Sequence, residues 1–219
     1  MVKAVIFDVD GTLLDTERIY MQAWKEAAAE LGYTITDELL RKTRAINTKD
    51  AARIFEEEIG NGFSYDTVRV GRVRIAEEII QRESPILKPG VTELLDWLEK
   101  NNIRLSVASS TNVKGTHAHL GESGIDHRFE VVVGGDMVTK GKPNPDIFLK
   151  AADMLGLQPE ECIVVEDSPA GIRAAYAAGM KAVLVPDQAA ITDEIVAMSD
   201  VVLKSLLDMP AYMEELIKK

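Results

Sequence analysis

The sequence predicts an α/β fold: a doubly wound parallel sheet whose chain is interrupted, after its first strand, by a block of helices. Three observations carry this reading. The chain opens on an unbroken apolar run, Ala4–Phe7, which reads as a strand buried on both faces. Between residues 16 and 84 no strand-like run occurs, only helical periodicity. From Pro85 onward helix and strand patterns alternate, as right-handed βαβ units do.

The first strand ends in Asp8 and Asp10, two residues apart, followed by Gly11-Thr12. Gly11 lets the chain leave the strand in a backbone conformation that a side chain resists. A helix follows, with Asp15 or Thr16 as N-cap and Ile19, Ala23, Trp24, Ala27, Ala28 and Leu31 on one face. Further helices are expected over 37–42, over 49–59 with Thr48 as cap, and over 65–81, where Val68, Ile75, Ala76, Ile79 and Ile80 form the apolar stripe. These helices make a small subdomain inserted in the core. Beyond it, Val91, Leu94, Leu95 and Leu98 mark a helix starting near Gly90. Strands over 103–108, 129–133, 162–165 and 181–185 alternate with helices to about residue 120, over 145–155 and over 169–178, and two helices close the chain. The 169–178 helix has Ser168 as N-cap, Pro169 at its first position and Gly179 just past its end, the usual asymmetry of helix termini.

Composition narrows the function. A chain of 219 residues with 46% apolar content can bury a sizeable core. Its net charge of −11 argues against a nucleic-acid or anionic-membrane binder, which needs a basic face. The one cysteine, Cys162, lies in an apolar run and reads as a buried structural thiol, consistent with a reducing cytoplasm. The N-terminus enters a strand with no charged-then-apolar leader, and no apolar run is long enough to span a bilayer, so a cytoplasmic protein is expected; a monomer is the expected state. His117, His119 and His127 show no metal-ligand spacing and read as surface or structural positions.

In open α/β sheets chemistry sits beyond the carboxyl ends of the strands. Four strands here end in polar residues that fit one another: Asp8 and Asp10; Ser109-Ser110-Thr111-Asn112; Gly134-Gly135-Asp136 followed by Lys140-Gly141-Lys142-Pro143-Asn144-Pro145-Asp146; and Glu166-Asp167-Ser168. Singly, each has a plainer reading. Asp10-Gly11 could open a turn, Ser109 could cap a helix, Lys142 could be a solvated loop lysine, and Glu166 and Asp167 could be acids at a helix start. Together on one edge they bring clustered oxygen ligands, which favour Mg²⁺ over zinc or copper. Hydroxyl, lysine and backbone N–H groups beside such a metal suit a phosphoryl group.

Asp8-Val9-Asp10-Gly11-Thr12-Leu13-Leu14-Asp15, Ser109, Lys142-Pro143-Asn144-Pro145-Asp146 and Glu166-Asp167-Ser168-Pro169-Ala170-Gly171-Ile172 resemble the four ordered motifs of the haloacid dehalogenase superfamily. The resemblance covers essentially the whole chain, and the helical insertion resembles the cap of the β-phosphoglucomutase-like phosphatases and mutases. It implies a Rossmann-like three-layer core over residues 1–15 and 85–219 with a helical cap over 16–84. It also implies a Mg²⁺-dependent phosphatase that hydrolyses a small phosphomonoester, a sugar phosphate or related metabolite, through an aspartyl-phosphate.

Carried over residue by residue, Asp8 would be the nucleophile, and Asp10 would protonate the leaving oxygen and then activate water. Asp8, the Asp10 carbonyl and Asp167 would ligate Mg²⁺, with Glu166 a ligand directly or through water. Ser109 and Lys142 would hold the phosphoryl oxygens, with Ser110 and Asn112 near the substrate. In the cap, Lys49 is the leading substrate contact, with Trp24, Lys25 and Arg72 behind it and Lys114 a further candidate in the core. The alternative is a sugar phosphate mutase. β-Phosphoglucomutases carry a histidine in the first cap helix and an arginine in the cap loop, where this chain has Tyr20 and Lys49, and both departures weigh against that reading. A catalytically silent phosphate-binding protein ranks last, because every motif residue is present.

Overall fold

The computed structural model describes residues 2–43, 48–60, 62–83, 86–187 and 189–217. The chain forms two compact units: residues 1–15 with 86–219, and residues 16–85. In chain order, β1 (Ala4–Phe7) is followed by α1 (Glu17–Glu30), α2 (Asp37–Thr43), α3 (Thr48–Ile59) and α4 (Tyr65–Glu83). Then come α5 (Val91–Lys100), β2 (Arg104–Ser109), α6 (Val113–Glu122), β3 (Val131–Gly134), α7 (Asp146–Leu155) and β4 (Cys162–Glu166). The chain closes with α8 (Pro169–Ala177), β5 (Lys181–Leu184), α9 (Asp193–Met198), β6 (Val201–Val202) and α10 (Met209–Ile217).

In the first unit the strands pair in parallel in the order β3-β2-β1-β4-β5-β6, with β1 central. All four residues of β1 are buried, as a strand covered on both faces must be. Its side chains alternate between two cores. Val5 and Phe7 join Leu94, Leu98, Leu120 and Met213 on the side of α5, α6 and α10. Ala4 and Ile6 join Phe148, Ala151, Ile172 and Ile195 on the side of α7, α8 and α9. The result is three layers, helix over sheet over helix. Among the described residues no helix is long and apolar enough to cross a membrane.

The second unit is helical. Ile19, Ala23, Ala27 and Ala28 of α1 are buried with Val68, Ile75, Ala76, Ile79 and Ile80 of α4, the stripe that periodicity predicts. Gly71 of α4 lets the two helices approach closely, since a Cβ there would lie 3.3 Å from that of Ala27. Trp24, Phe55 and Tyr65 form a ring cluster with centroids 5.1–5.3 Å apart.

Several local expectations change. α3 begins at Thr48 itself, one residue before the expected start, and the Thr48 side chain lies outside the described residues. Thr16 occupies the N-cap position of α1, but its side chain makes no cap bond. Leu31 is half exposed because it falls at the C-terminal cap of α1, past the packed face. The strand expected over 129–133 is observed over Val131–Gly134, because a single 3-10 turn at Asp126–Arg128 carries the chain to it. β6 escapes sequence detection since two residues are too few to show a period, and so short a strand blunts the sheet edge.

Gly90 sits at φ +90° before α5, and a Cβ there would lie 2.7 Å from the backbone N of Leu207. Gly90→Ala should therefore cost about 1–3 kcal/mol and lower the thermal midpoint by several degrees. Gly121→Ala, in open space on α6, should be neutral or stabilise by up to about 1 kcal/mol. Thermal melts of the two variants against wild type check both.

Candidate active site

The central strand places the chemistry. Phe7 pairs with Val107 on one side and Val165 on the other, so Asp8, Ala108 and Glu166 come level at the carboxyl edge of the sheet. The Asp8 amide continues the ladder by donating to the Val165 carbonyl at 3.0 Å. Alternation puts Asp8 and Glu166 on the same face as Ile6 and Val164, the face covered by α7 and α8. Strand order runs outward in both directions from β1 and β4, which makes this edge the switch point where open α/β sheets bind ligands.

Lys142 reaches this point from the loop before α7, with its ammonium 5.0 Å from the Phe148 ring centroid. The peptide joining it to Pro143 is cis. Its Nζ donates to Asp8 Oδ1 at 2.5 Å, to Glu166 Oε1 at 2.6 Å and to the Ala108 carbonyl at 3.1 Å. An ammonium has three N–H donors, and all three are used. Glu166 Oε2 in turn accepts from the amides of Asp167 and Ser168 and from the Ser168 hydroxyl, at 2.9–3.1 Å. Ser168 caps α8, as its sequence position predicts, by accepting from the Gly171 amide at 3.1 Å. Glu166 is thus clamped between Lys142 and the start of α8, and Gly171 leaves room for it: a Cβ at Gly171 would fall within the Glu166 carboxylate. Gly11, at φ +94°, does the same for Asp167, whose Oδ2 would lie 2.5 Å from an added Cβ.

Asp10 stands apart from this clamp and faces the end of β2. Its Oδ2 accepts from the Thr111 hydroxyl at 3.1 Å and from the Ser109 hydroxyl at 3.4 Å, and its Oδ1 lies 3.9 Å from Nδ1 of His119. Ser109 does not cap α6. Asn112 does, by accepting from the Gly115 amide at 2.8 Å, with Asp136 accepting from the Val113 amide at 2.8 Å. Gly134 and Gly135 permit this close loop packing, since Cβ atoms there would strike Val113 and the Ser110 carbonyl.

Oxygens of Asp8, Glu166 and Asp167 lie within 4.8 Å of one another, and all three residues are buried. Three acids share one ammonium, so ionising all of them leaves uncompensated negative charge in a low-dielectric site. Burial, with repulsion from the neighbouring acids, pushes Asp8 up to about 8 against the opposing pull of Lys142. Burial and the carboxylates of Glu166 and Asp8 push Asp167 up to about 9. Lys142 is held above the usual lysine range: its burial alone would lower it, and the two flanking carboxylates outweigh that. The donor set, all oxygen and negatively charged, suits a hard divalent cation.

The structure therefore brings Asp8, Asp10, Ser109, Lys142, Glu166 and Asp167 to one edge. Asn112 is occupied as a helix cap, and Ser110 is exposed with its carbonyl against Gly135. Residues 44–47 and the side chain of Lys49 lie outside the described residues. Sequence reasoning named Thr111 among the polar residues that end β2 and read His119 as surface or structural, but placed neither beside Asp10. The signal for His119 was its spacing from Thr116 and Leu120, which together make the buried face of α6.

The helical unit has a cavity of its own, about 230 Å³, lined among others by Tyr20, Trp24, Phe55, Tyr65, Arg69 and Arg72. The Arg72 guanidinium stacks 5.1 Å from the Tyr20 centroid and 5.6 Å from that of Trp24.

A parallel sheet with a helical unit inserted after its first strand defines an open-sheet α/β protein, with a carboxylate cluster at the switch point where such folds bind ligands. The chain belongs to the haloacid dehalogenase-like hydrolase family, whose profile matches residues 5–185. It is 34% identical over 181 residues to a phosphorylated carbohydrates phosphatase of Thermotoga maritima, covering 82% of each chain. It is also 34% identical over 188 residues to a beta-phosphoglucomutase of Bacillus subtilis, covering 83% of this chain and 82% of that one. In structure it is similar to CbbY of Rhodobacter sphaeroides in complex with phosphate, with a TM-score of 0.81 and 27% identity over 95% of this chain and 96% of that one. A mutant of that CbbY in complex with xylulose-(1,5)bisphosphate matches with a TM-score of 0.80 and 28% identity, over the same shares of both chains.

Two outcomes test the electrostatics. A carboxyl whose folded pKa is raised favours folding while protonated, so the contribution of Asp8 and Asp167 is complete at low pH and is lost as pH rises towards about 8 and about 9. In chelator, the thermal midpoint should fall between about pH 6 and about pH 9, a range above the titration of ordinary surface carboxylates. Gly171→Ala should displace Glu166 and unseat Lys142, lowering turnover by about tenfold or more with a loss of about 1–3 kcal/mol in stability. Steady-state kinetics and denaturant melts measure the two effects.

Proposed function

We propose that this protein is a Mg²⁺-dependent phosphatase of a small phosphorylated carbohydrate or related metabolite, acting through an aspartyl-phosphate on Asp8. The observation that carries the reading is the buried Asp8 carboxylate, gripped by Lys142 within a cluster of acids and with Asp10 two residues beyond it. A carboxylate so placed is a nucleophile in need of a cation. Asp8, Asp167 and the Asp10 carbonyl would hold Mg²⁺. Glu166 would assist directly or through water, and its existing hydrogen bonds favour water. Bound there, the metal supplies the positive charge that lets an anionic nucleophile meet an anionic ester.

In the first step an Asp8 oxygen forms the bond to phosphorus while the ester P–O bond breaks, and Asp10 gives its proton to the departing oxygen. In the second, Asp10 takes a proton from water as the water oxygen attacks phosphorus, the acyl-phosphate bond breaks, and inorganic phosphate leaves. Ser109 and Lys142 bind phosphoryl oxygens and spread the charge that builds on them. Lys142 donates to Asp8, Glu166 and the Ala108 carbonyl, so it would exchange at least one of these bonds for a phosphoryl oxygen.

The helical unit acts in this reading as a cap that chooses the substrate. Lys49 would be the leading substrate contact there, with Trp24, Lys25 and Arg72 behind it; Trp24 and Arg72 line the unit's own aromatic cavity. Names of similar proteins support both a carbohydrate phosphatase and a mutase. The stacking of Arg72 on Tyr20, where a mutase has a histidine, favours the phosphatase.

Phosphate release should be seen with Mg²⁺ on one or a few members of a panel of sugar phosphates, nucleotides and phosphoglycolate, and should stop in chelator. Asp8→Asn should lower kcat by about a thousandfold or more while the circular-dichroism spectrum stays that of the wild type. Isomerisation of β-glucose 1-phosphate with little phosphate release would replace the phosphatase reading with the mutase one. Full activity in chelator, or in Asp8→Asn, would overturn both.

A further inference from the structure

His119 is buried within α6, and its Nδ1 has no hydrogen-bond partner among the described residues. A buried imidazole nitrogen left without a partner is costly, so the position calls for one. The carboxylate it faces is that of Asp10, with 3.9 Å between Nδ1 and Oδ1. A movement of about 1 Å would make that a hydrogen bond. The other Asp10 oxygen is already held by Thr111 at 3.1 Å, a residue fixed by the turn that begins α6. Both contacts come from the segment that follows β2, so they orient Asp10 from one side.

We propose that His119 is a positioning residue for Asp10. With its proton on Nδ1 it donates to Oδ1 while the Thr111 and Ser109 hydroxyls donate to Oδ2, so both oxygens of the carboxyl are held. These holds remove the rotation of the Asp10 side chain that would otherwise misdirect its proton. This inference rests on the acid–base role given to Asp10 above.

The test uses leaving groups. A sugar alkoxide needs a proton to depart, whereas p-nitrophenolate leaves as an anion near neutral pH. The ratio kcat/KM covers only the steps up to departure of the leaving group, so water attack does not enter it. His119→Leu should lower kcat/KM by roughly tenfold or more for the best sugar phosphate and by less than about threefold for p-nitrophenyl phosphate. His119→Asn, whose amide can stand where Nδ1 does, should recover most of the loss. Equal losses on both substrates, or no recovery with asparagine, would mean that His119 only packs, and would overturn the proposal. Should His119→Leu fail to fold, Thr111→Val, which removes a hold on the other oxygen, should show the same selective loss, and an equal loss there overturns the proposal. Asp10→Asn on the same two substrates separates the causes. If it shows the selective loss and the His119 variants do not, the positioning role alone is wrong. If it shows none, the acid–base reading of Asp10 fails and this inference with it.

Discussion

One ammonium group among three buried carboxylates is the constraint around which this protein is arranged. Lys142 places its three N–H donors on Asp8, Glu166 and the carbonyl of Ala108, and no donor remains for water. The cost of burying acids is met partly by that ammonium and partly by the amides at the start of α8, which converge on Glu166 Oε2. What is left over is negative charge, and it raises the proton affinity of Asp8 and Asp167. Such a site is poised to exchange protons for a cation, because a carboxylate must be ionised to bind one.

The sheet makes this possible by bringing distant segments to one level. Asp8 and Glu166 are adjacent because β1 and β4 are paired in register, and Lys142 can reach both because α7 packs below them. Two glycines complete the geometry. Gly11 and Gly171 each lie where a Cβ would occupy the space of a catalytic-edge carboxylate. Close backbone approach is thus a requirement of the acid cluster, separate from any need of the turns themselves. Asp10 belongs to a second, looser group with Ser109, Thr111 and His119, held from the α6 side. The two groups divide the labour that the proposed reaction needs, one holding a fixed nucleophile and the other a carboxyl that moves protons.

The helical unit is built on different physics. Small residues on α1 and α4 let the helix axes come close, and the remaining space is filled by rings, Trp24, Phe55 and Tyr65 among them. Rings, arginines and Glu17 line a cavity that sets flat apolar faces beside charged groups. That combination suits a ligand with an apolar carbon face and an anionic group, the general description of a phosphorylated carbohydrate.

The alternation of apolar runs and helical stripes was enough to predict a parallel sheet with a helical insertion, because burial on both faces of a strand and on one face of a helix leaves a period in the residues themselves. The motif residues were legible for a related reason. Asp8 and Asp10 follow a strand, Ser109 and Glu166 end one, and Lys142 and Asp167 precede helices, so each stands out as a polar residue beside an apolar run. Other features had no such trace. The two residues of β6 are too short for a period, and Thr16 stands at the N-cap of α1 without a side-chain cap bond. The sequence by itself determined the class of fold and which side chains meet at its edge. Only the tertiary structure decided how they are paired: that Lys142 spans Asp8 and Glu166 across 134 and 24 residues of chain, and that Thr111 and His119 stand beside Asp10. Periodicity is a local property of the chain, whereas a hydrogen bond between distant residues depends on strand register and helix packing, which the whole molecule sets at once.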